Sequence, residues 1–501
     1  MNFDNMKQTN TNLIPDAANS SPDYYCTWQT QLYATSDGKP VKQREIICEN
    51  SLFNTEKPFG WAYFYEKVRG DLILVMDDSW DVPIKDDPSY YGSLILNEEK
   101  FPEATKGAAS NAQALKNLTD KMKGLGWKGL GGWVCAQESE RFLNGQSAVE
   151  YWIARLKEAN ESGFAYWKID WGKRGDDFEY RKRITDLAHT YAPDLVIESA
   201  LVEEIIPYSD VFRTYDVPAV MSIPMTMEKI YNILKKYTTE PGYGGLINCE
   251  DEVYIAAAGG FTIGIERHPY AGEFINGKKD MSFPDCHRNI KTKLAEITRA
   301  VKWHKIAPAF AVNCNETSFD ETTLSDTWAF ENYASEIEEW WLRYSPISDF
   351  MSDGKVTKTA CAAIARRMPL PEVTPDQNGD IPFIIAAKNP NGAASVVTAG
   401  RTRGREYWIP RCDIQLDVGE AKIFGIFGRY QNLTMSTDFE TENVQILMQD
   451  LADETAYDVT GYIKKGKNNL VIPGELIEKI GTMAQDEADT SEPGLVMKIR
   501  T

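Results

Sequence analysis

Lys168 and Asp170 stand two residues apart at the end of the stretch Phe164-Ala-Tyr-Trp-Lys-Ile-Asp-Trp-Gly172. A lysine beside a carboxylate favours its charged form, which suits a nucleophile better than an acid. The residues before the pair are apolar and aromatic, of strand length, and the run stops at a glycine, so it reads as a buried strand. The C-terminal end of such a strand is where parallel barrels and open α/β sheets carry their chemistry, although an ion pair can also simply close a strand there. Similar residues follow other apolar runs: Asp77, Asp78 and Trp80 after Asp71-Leu-Ile-Leu-Val-Met76, Trp133 with Glu138, Glu198, Arg213 with Asp216, and Glu266-Arg267-His268. Trp28 lies near the end of an earlier one. Paired carboxylates with aromatic walls suit glycoside hydrolysis, in which one carboxylate attacks or activates water and the other protonates the leaving oxygen. The chain has no His and Asp cluster at metal-ligand spacing, no nucleophile elbow and no Gly-rich phosphate loop, so neither a metal nor a cofactor is expected.

The elements that must position these residues alternate in type. Strands are expected at Tyr24–Gln31, Asp71–Trp80, Lys128–Ala136, Phe164–Gly172, Leu195–Ala200, Val211–Asp216, Gly245–Cys249 and Gly260–Glu266. Between them, apolar residues at helical spacing predict helices over Asn111–Met122, Ser147–Ala159, Phe178–Tyr191, Met225–Tyr237 and Asp251–Ala258, with a last one from about Ile290 to Ile306. Eight such units argue a closed (β/α)₈ TIM barrel, in which all strand ends face one mouth. An open doubly wound sheet is the competing fold, but no Gly-x-Gly-x-x-Gly follows an early strand. Past Ala309 the pattern changes. Glu336-Ile-Glu-Glu-Trp-Trp-Leu-Arg343 reads as helix and Pro369–Pro375 as linker, and short strands between turn signals then predict a C-terminal antiparallel β-sandwich. The expected organisation is a polar leader over 1–23, a barrel with a helical extension over 24–370, and the sandwich over 371–501.

Bulk composition narrows the partners. With 74 acidic against 54 basic residues the net charge is −20, which argues against nucleic acid and anionic membrane surfaces. No apolar run approaches the roughly 18 residues of a membrane span. Met1 to about Pro22 lacks the basic start and apolar centre of a signal peptide, so the expected compartment is the cytoplasm, or a secreted or periplasmic one if a signal has been removed. Thirteen Trp and twenty-four Tyr offer faces for sugar rings. The eight cysteines include no Cys-x-x-Cys and read as free buried thiols.

Several of these motifs together resemble the retaining α-galactosidase clan, glycoside hydrolase families 27 and 36, as a divergent member; the likeness spans about residues 24–501. Tyr166-Trp-Lys-Ile-Asp170 is similar to the family's Lys-x-Asp strand, which implies Asp170 as nucleophile and Lys168 as a sugar contact. Val75-Met-Asp-Asp-Ser-Trp80 resembles its Asp-Asp-x-Trp motif, implying that Asp77 and Asp78 bind sugar hydroxyls. Phe212-Arg-Thr-Tyr-Asp216 resembles its sixth strand, implying Arg213 near the 2-hydroxyl and Asp216 as acid/base. Gly131-Gly-Trp-Val134 is similar to a family 36 strand. Trp80, Trp133, Trp28 and Glu198 complete the expected sugar contacts. The resemblance implies an exo-acting retaining hydrolase acting on terminal α-D-galactose or a related sugar in an oligosaccharide or polysaccharide, with its two carboxyl groups about 5–5.5 Å apart. Open alternatives are α-N-acetylgalactosaminidase, β-L-arabinopyranosidase or isomaltodextranase specificity, and a sugar-binding barrel without catalysis.

Overall fold

The computed structural model describes residues 6–33, 35–36, 39–40, 43–56, 59–213, 223–237, 245–250, 252–266, 290–312, 316–329, 355–404 and 406–501. Eight parallel strands close into a barrel in chain order: β1 (Tyr24–Cys26), β2 (Ile73–Met76), β3 (Gly129–Val134), β4 (Tyr166–Ile169), β5 (Val196–Ser199), β6 (Val211–Arg213), β7 (Leu246–Glu250) and β8 (Thr262–Ile265), which pairs back onto β1. Each falls within or against the expected run. The first is shorter than expected, because the Thr27 carbonyl accepts the Gln31 N–H (2.8 Å) and the chain turns helical over Trp28–Tyr33.

Helices fill the connections: α1 (Asn111–Gly124), α2 (Ala148–Ser162), α3 (Phe178–Tyr191), α4 (Ile223–Tyr237), α5 (Val253–Gly259) and α6 (Ile290–His304). Their starts are written in the sequence. Ser110 and Asp177 accept backbone N–H groups of Gln113 and Tyr180, and Ser147 with Glu150 forms a reciprocal capping box. Gly163 ends α2 at φ 66°, a left-handed geometry that glycine adopts without penalty. No helix among the described residues is long and apolar enough to cross a membrane.

Glycines inside the barrel make room for larger neighbours. A Cβ on Gly131 would meet Tyr166 at 2.6 Å, and one on Gly264 would meet the Asn248 side chain at 2.6 Å. The Gly-rich third strand therefore gives bulky residues of adjacent strands space to point inward.

The C-terminal part is a sandwich of two mostly antiparallel sheets, whose facing residues include Val396, Leu416, Leu433, Met435 and Leu470. The larger sheet includes β9 (Thr317–Ala329) and β10 (Lys355–Arg366), so it reaches back well before the boundary expected at 370. These strands are hard to read from sequence: β9 carries many polar residues and β10 is rich in alanine, a strong helix former. The helix expected at 336–343 lies outside the described residues.

The N-terminal segment is tied down at both ends. Lys7–Gln8 pairs as a short strand with Tyr457–Asp458, while Asn19 N–H donates to Asp71 (2.8 Å) and Lys128 Nζ donates to the Asn19 and Ser21 carbonyls (2.6 Å each). This stretch straps the sandwich to the barrel.

Candidate active site

Alternation along a strand puts every second side chain on one face. Tyr166, Lys168 and Asp170 therefore share the barrel-facing side of β4 and its end, as do Val75 and Asp77 on β2, Asn248 and Glu250 on β7, and Tyr24 and Cys26 on β1. The inner layer around Tyr24, Cys26, Ile73, Val75 and Tyr166 is apolar and aromatic, with Lys168 and Asp77 against Cys26 and Glu198 against the Tyr166 hydroxyl.

Asp170 has each carboxylate oxygen fixed. Arg213 Nη2 donates to Oδ1 (2.7 Å) and Trp133 Nε1 donates to Oδ2 (3.0 Å). Its backbone is held from below by the buried Arg181 of α3, whose guanidinium donates to the carbonyls of Ile169 (3.1 Å), Asp170 (2.7 Å) and Gly175 (2.7 Å). Burial alone would raise the Asp170 pKa. Arg213 and Lys168, with the two hydrogen bonds, outweigh it and hold the carboxyl at about 2. Its side chain keeps 13% exposure, so an ionised carboxylate reaches the mouth on a fixed mount.

Lys168 is buried among acceptors. Its ammonium donates to Asp77 Oδ2 (2.9 Å), to Glu266 Oε1 and to the Cys26 sulfur (3.4 Å), while the Cys26 thiol donates to Asp77 Oδ2 (2.9 Å). Burial works against the ammonium, but Asp77, Cys26 and Glu266 keep its pKa well above the ordinary lysine value. Ligand atoms of Cys26, Asp77 and Glu266 lie within 4.8 Å of one another, spacing that could suit a metal ion. The Lys168 ammonium contacts all three, so a metal there would have to displace a cation already in place.

Asp78 sits one residue further and is held differently. Arg44 contacts its Oδ2 through Nε and Nη2 (3.0 Å each), and Ser79 Oγ donates to Oδ1 (2.7 Å). Burial still pushes its carboxyl up to about 7, against the pull of Arg44 and Ser79. Arg44 also lies over the rings of Tyr91 and Trp171, each centroid 5.4 Å away. Trp171 is 38% exposed and packs against Trp133, so the two indoles form one wall beside Asp170. Gly172 shapes that wall. It has φ 155°, and a Cβ there would meet the Ala136 backbone at 2.6–2.8 Å, where Trp171 O accepts the Ala136 N–H (2.9 Å).

The expected residues thus separate into groups. Asp77, Lys168, Asp170, Arg213 and Trp133 come together, with Asp78 at their edge. Trp80 does not face the mouth. Ser79 takes a left-handed turn (φ 74°), and the buried Trp80 indole points outward against Gly132 and Phe164, donating to the Trp133 carbonyl (2.9 Å). Trp28 is half-buried above the inner layer, its Nε1 without a hydrogen-bond partner among the described residues. Glu198 lies deep in the barrel, accepting from Tyr166 Oη (2.8 Å) and Asn248 Nδ2 (2.9 Å), and burial raises its pKa. Glu138 faces α2 and accepts from Trp152 Nε1 (2.9 Å). Asp216, Arg267 and His268 lie outside the described residues.

Glu250, Asn248, Cys26, Arg181, Arg44 and Trp171 were not anticipated. The alternation that pairs Lys168 with Asp170 also points to Asn248 with Glu250 and to Tyr24 with Cys26. Arg44 gives no such signal, because it arrives from a connection.

No protein-family model and no curated protein matches this sequence. Similar solved structures include a family 27 β-L-arabinopyranosidase from Geobacillus stearothermophilus, at 10% identity and TM-score 0.45, covering 96% of both chains. An α-amylase from Geobacillus thermoleovorans aligns at 7% identity and TM-score 0.43 over 97% of this chain and 100% of its own. A family 36 α-galactosidase from Geobacillus stearothermophilus aligns at 12% identity and TM-score 0.36 over 60% of this chain and 44% of its own. Likenesses this distant leave the reaction to be argued from the residues at the barrel mouth.

Proposed function

We propose that this protein is a retaining exo-acting glycoside hydrolase that releases terminal α-D-galactose or a closely related sugar by double displacement. The observation that carries the reading is the Asp170 carboxylate, kept ionised by Arg213 and Trp133 on a backbone clamped by Arg181. A nucleophile must be charged, oriented and reachable, and Asp170 meets all three conditions.

In the first step Asp170 attacks the anomeric carbon. The glycosidic bond breaks, its oxygen takes a proton from the acid, and a glycosyl–aspartate ester forms. In the second step the same group, now a base, takes a proton from water, which attacks the anomeric carbon and frees Asp170. The proposed acid/base is Asp216, which follows Arg213 in sequence. Asp77, Lys168 and Arg213 are proposed to position the sugar, with Trp133 and Trp171 beside it.

The test is to turn over an aryl α-galactoside and follow the anomer first released by NMR. The expected product is the α-anomer; the β-anomer would exclude a double displacement. Asp170→Asn should lower kcat by about 10³-fold or more with melting behaviour preserved. A slow, activated fluorosugar should leave its mass on the peptide containing Asp170, and labelling elsewhere would remove Asp170 from the nucleophile role.

A further inference from the structure

Beneath the mouth, the described residues place four buried carboxyl groups, Asp77, Glu198, Glu250 and Glu266, together with the partly exposed Asp170, around two buried cations, Lys168 and Arg213. All five cannot be ionised cheaply in a space shielded from water. The contacts decide which carries a proton. Lys168 reaches Asp77 and Glu266, Arg213 reaches Asp170 at 2.7 Å, and Glu198 accepts two hydrogen bonds from neutral donors. Glu250 is the least supported as an anion: its Oε1 accepts no hydrogen bond, and its contact with Arg213 Nε is long, at 3.7 Å.

We propose that Glu250 is a positioning residue that works as a neutral carboxylic acid, steadying the Nε side of Arg213 while leaving the guanidinium charge to Asp170. Were Glu250 ionised, it would compete with Asp170 for Arg213 from the other end of the same guanidinium. The groups facing it oppose that ionisation: Glu266 from β8 and Glu198 from β5 repel the charge, and Lys168 and Arg213 only partly offset them. Burial, with Glu266 and Glu198, pushes its carboxyl well above the ordinary range against the pull of Arg213 and Lys168. Tyr24 of β1 adds no cation.

The inference rests on the proposed role of Asp170, but its first test needs no substrate. The infrared difference between wild type and Glu250→Gln at pH 7 should show loss of a carboxylic-acid C=O band. Loss of a carboxylate band instead would overturn the proposal even if the protein proves to be a glycosidase. The second test uses an aryl glycoside whose leaving group needs no protonation. Glu250→Gln should lose at least about tenfold less kcat than Glu250→Ala, because an amide replaces a neutral carboxyl and still fills the space beside Arg213. It should also move the alkaline limb of kcat up by a pH unit or more, since no ionisation remains to draw Arg213 away. A hundredfold loss of kcat in correctly folded Glu250→Gln, or an unmoved alkaline limb, would show that Glu250 does not act as a neutral acid on Arg213. If neither wild type nor variant cleaves any aryl glycoside, the proposed function fails, while the infrared result still decides the protonation state of Glu250.

Discussion

Two groups set the charge on Asp170 at close range, and one of them can be removed without touching a cation. The Trp133 indole N–H donates to Asp170 Oδ2 at 3.0 Å. A hydrogen bond to a charged acceptor contributes about 1.5–3 kcal/mol, and a pKa unit corresponds to about 1.4 kcal/mol. Trp133→Phe should therefore raise the Asp170 pKa from its depressed value by about one to two units. The ionised nucleophile would then be reached only at higher pH, so the acidic limb of kcat/KM should move up by a similar amount. A limb that stays in place would mean that Arg213 alone fixes the carboxylate. The neighbouring glycine makes a complementary prediction. In Gly172→Ala the new methyl would press on the Ala136 backbone, and the loop carrying Asp170 and Trp171 would have to shift. Misplacing a reacting group by about 1 Å can cost about 100-fold. Activity should fall by that order, and thermal stability much less. An active Gly172→Ala variant would show that the loop has slack.

At the scale of elements, the barrel strands were legible because each is a short apolar run followed by chemistry-bearing residues. Parity along the strand already placed Lys168 with Asp170. What was not legible came from connections and turns. Arg44 reaches Asp78 from a segment with no periodic signal, and Trp80 was misplaced because the left-handed Ser79 turns the chain outward, a conformation that its residue type does not announce. Thr317–Ala329 and Lys355–Arg366 were missed because their strand character comes from pairing with each other rather than from local preference. The loop after β2 carries a pH signature of its own. Asp81 is buried, accepts from Ser93 Oγ (3.0 Å) and Leu94 N–H (2.9 Å), and is pushed by burial up to about 6, with those hydrogen bonds only partly opposing the rise. An unfolded aspartate titrates near 3.9. Between about pH 4 and 6 the folded state thus binds the extra proton, and the stability it brings is fully present below pH 4 and lost as pH rises through 6. The contribution is about 3 kcal/mol at most. Asp78, raised to about 7, extends the same slope to higher pH. Asp81→Asn should flatten the fall in Tm between pH 4 and 6, and an unchanged slope would place the titration elsewhere.

Over the whole molecule, the barrel and sandwich are joined by buried polar anchors as well as apolar contact. Arg366 of β10 sends its guanidinium to the carbonyls of Gly259 (2.6 Å) and Phe310 (3.1 Å), capping the C-terminus of the wholly buried α5. On α6, Arg299 forms a two-pronged pair with Asp450 of the sandwich (2.8 and 3.0 Å) and donates to Ser491 Oγ (2.6 Å), with neither charged side chain exposed. Asp450 also accepts the N–H groups of Ala452 (2.8 Å) and Ala484 (2.9 Å), so it folds its own loop as well as meeting Arg299. Removing one partner of such a pair strands a buried charge, at a cost of about 3–5 kcal/mol. Arg299→Leu should lower unfolding free energy by that amount in chemical denaturation. Adding Asp450→Asn should recover part of it, because the stranded charge is gone and the amide oxygen still accepts one of the two backbone N–H groups, while its NH2 faces the other. The folded double variant should keep wild-type KM, since neither residue belongs to the group around Asp170. If the double variant is instead as unstable as Arg299→Leu, the loss lies in the packing of the arginine stem between α6 and the sheet, and the pairing of charges is not what joins the two halves.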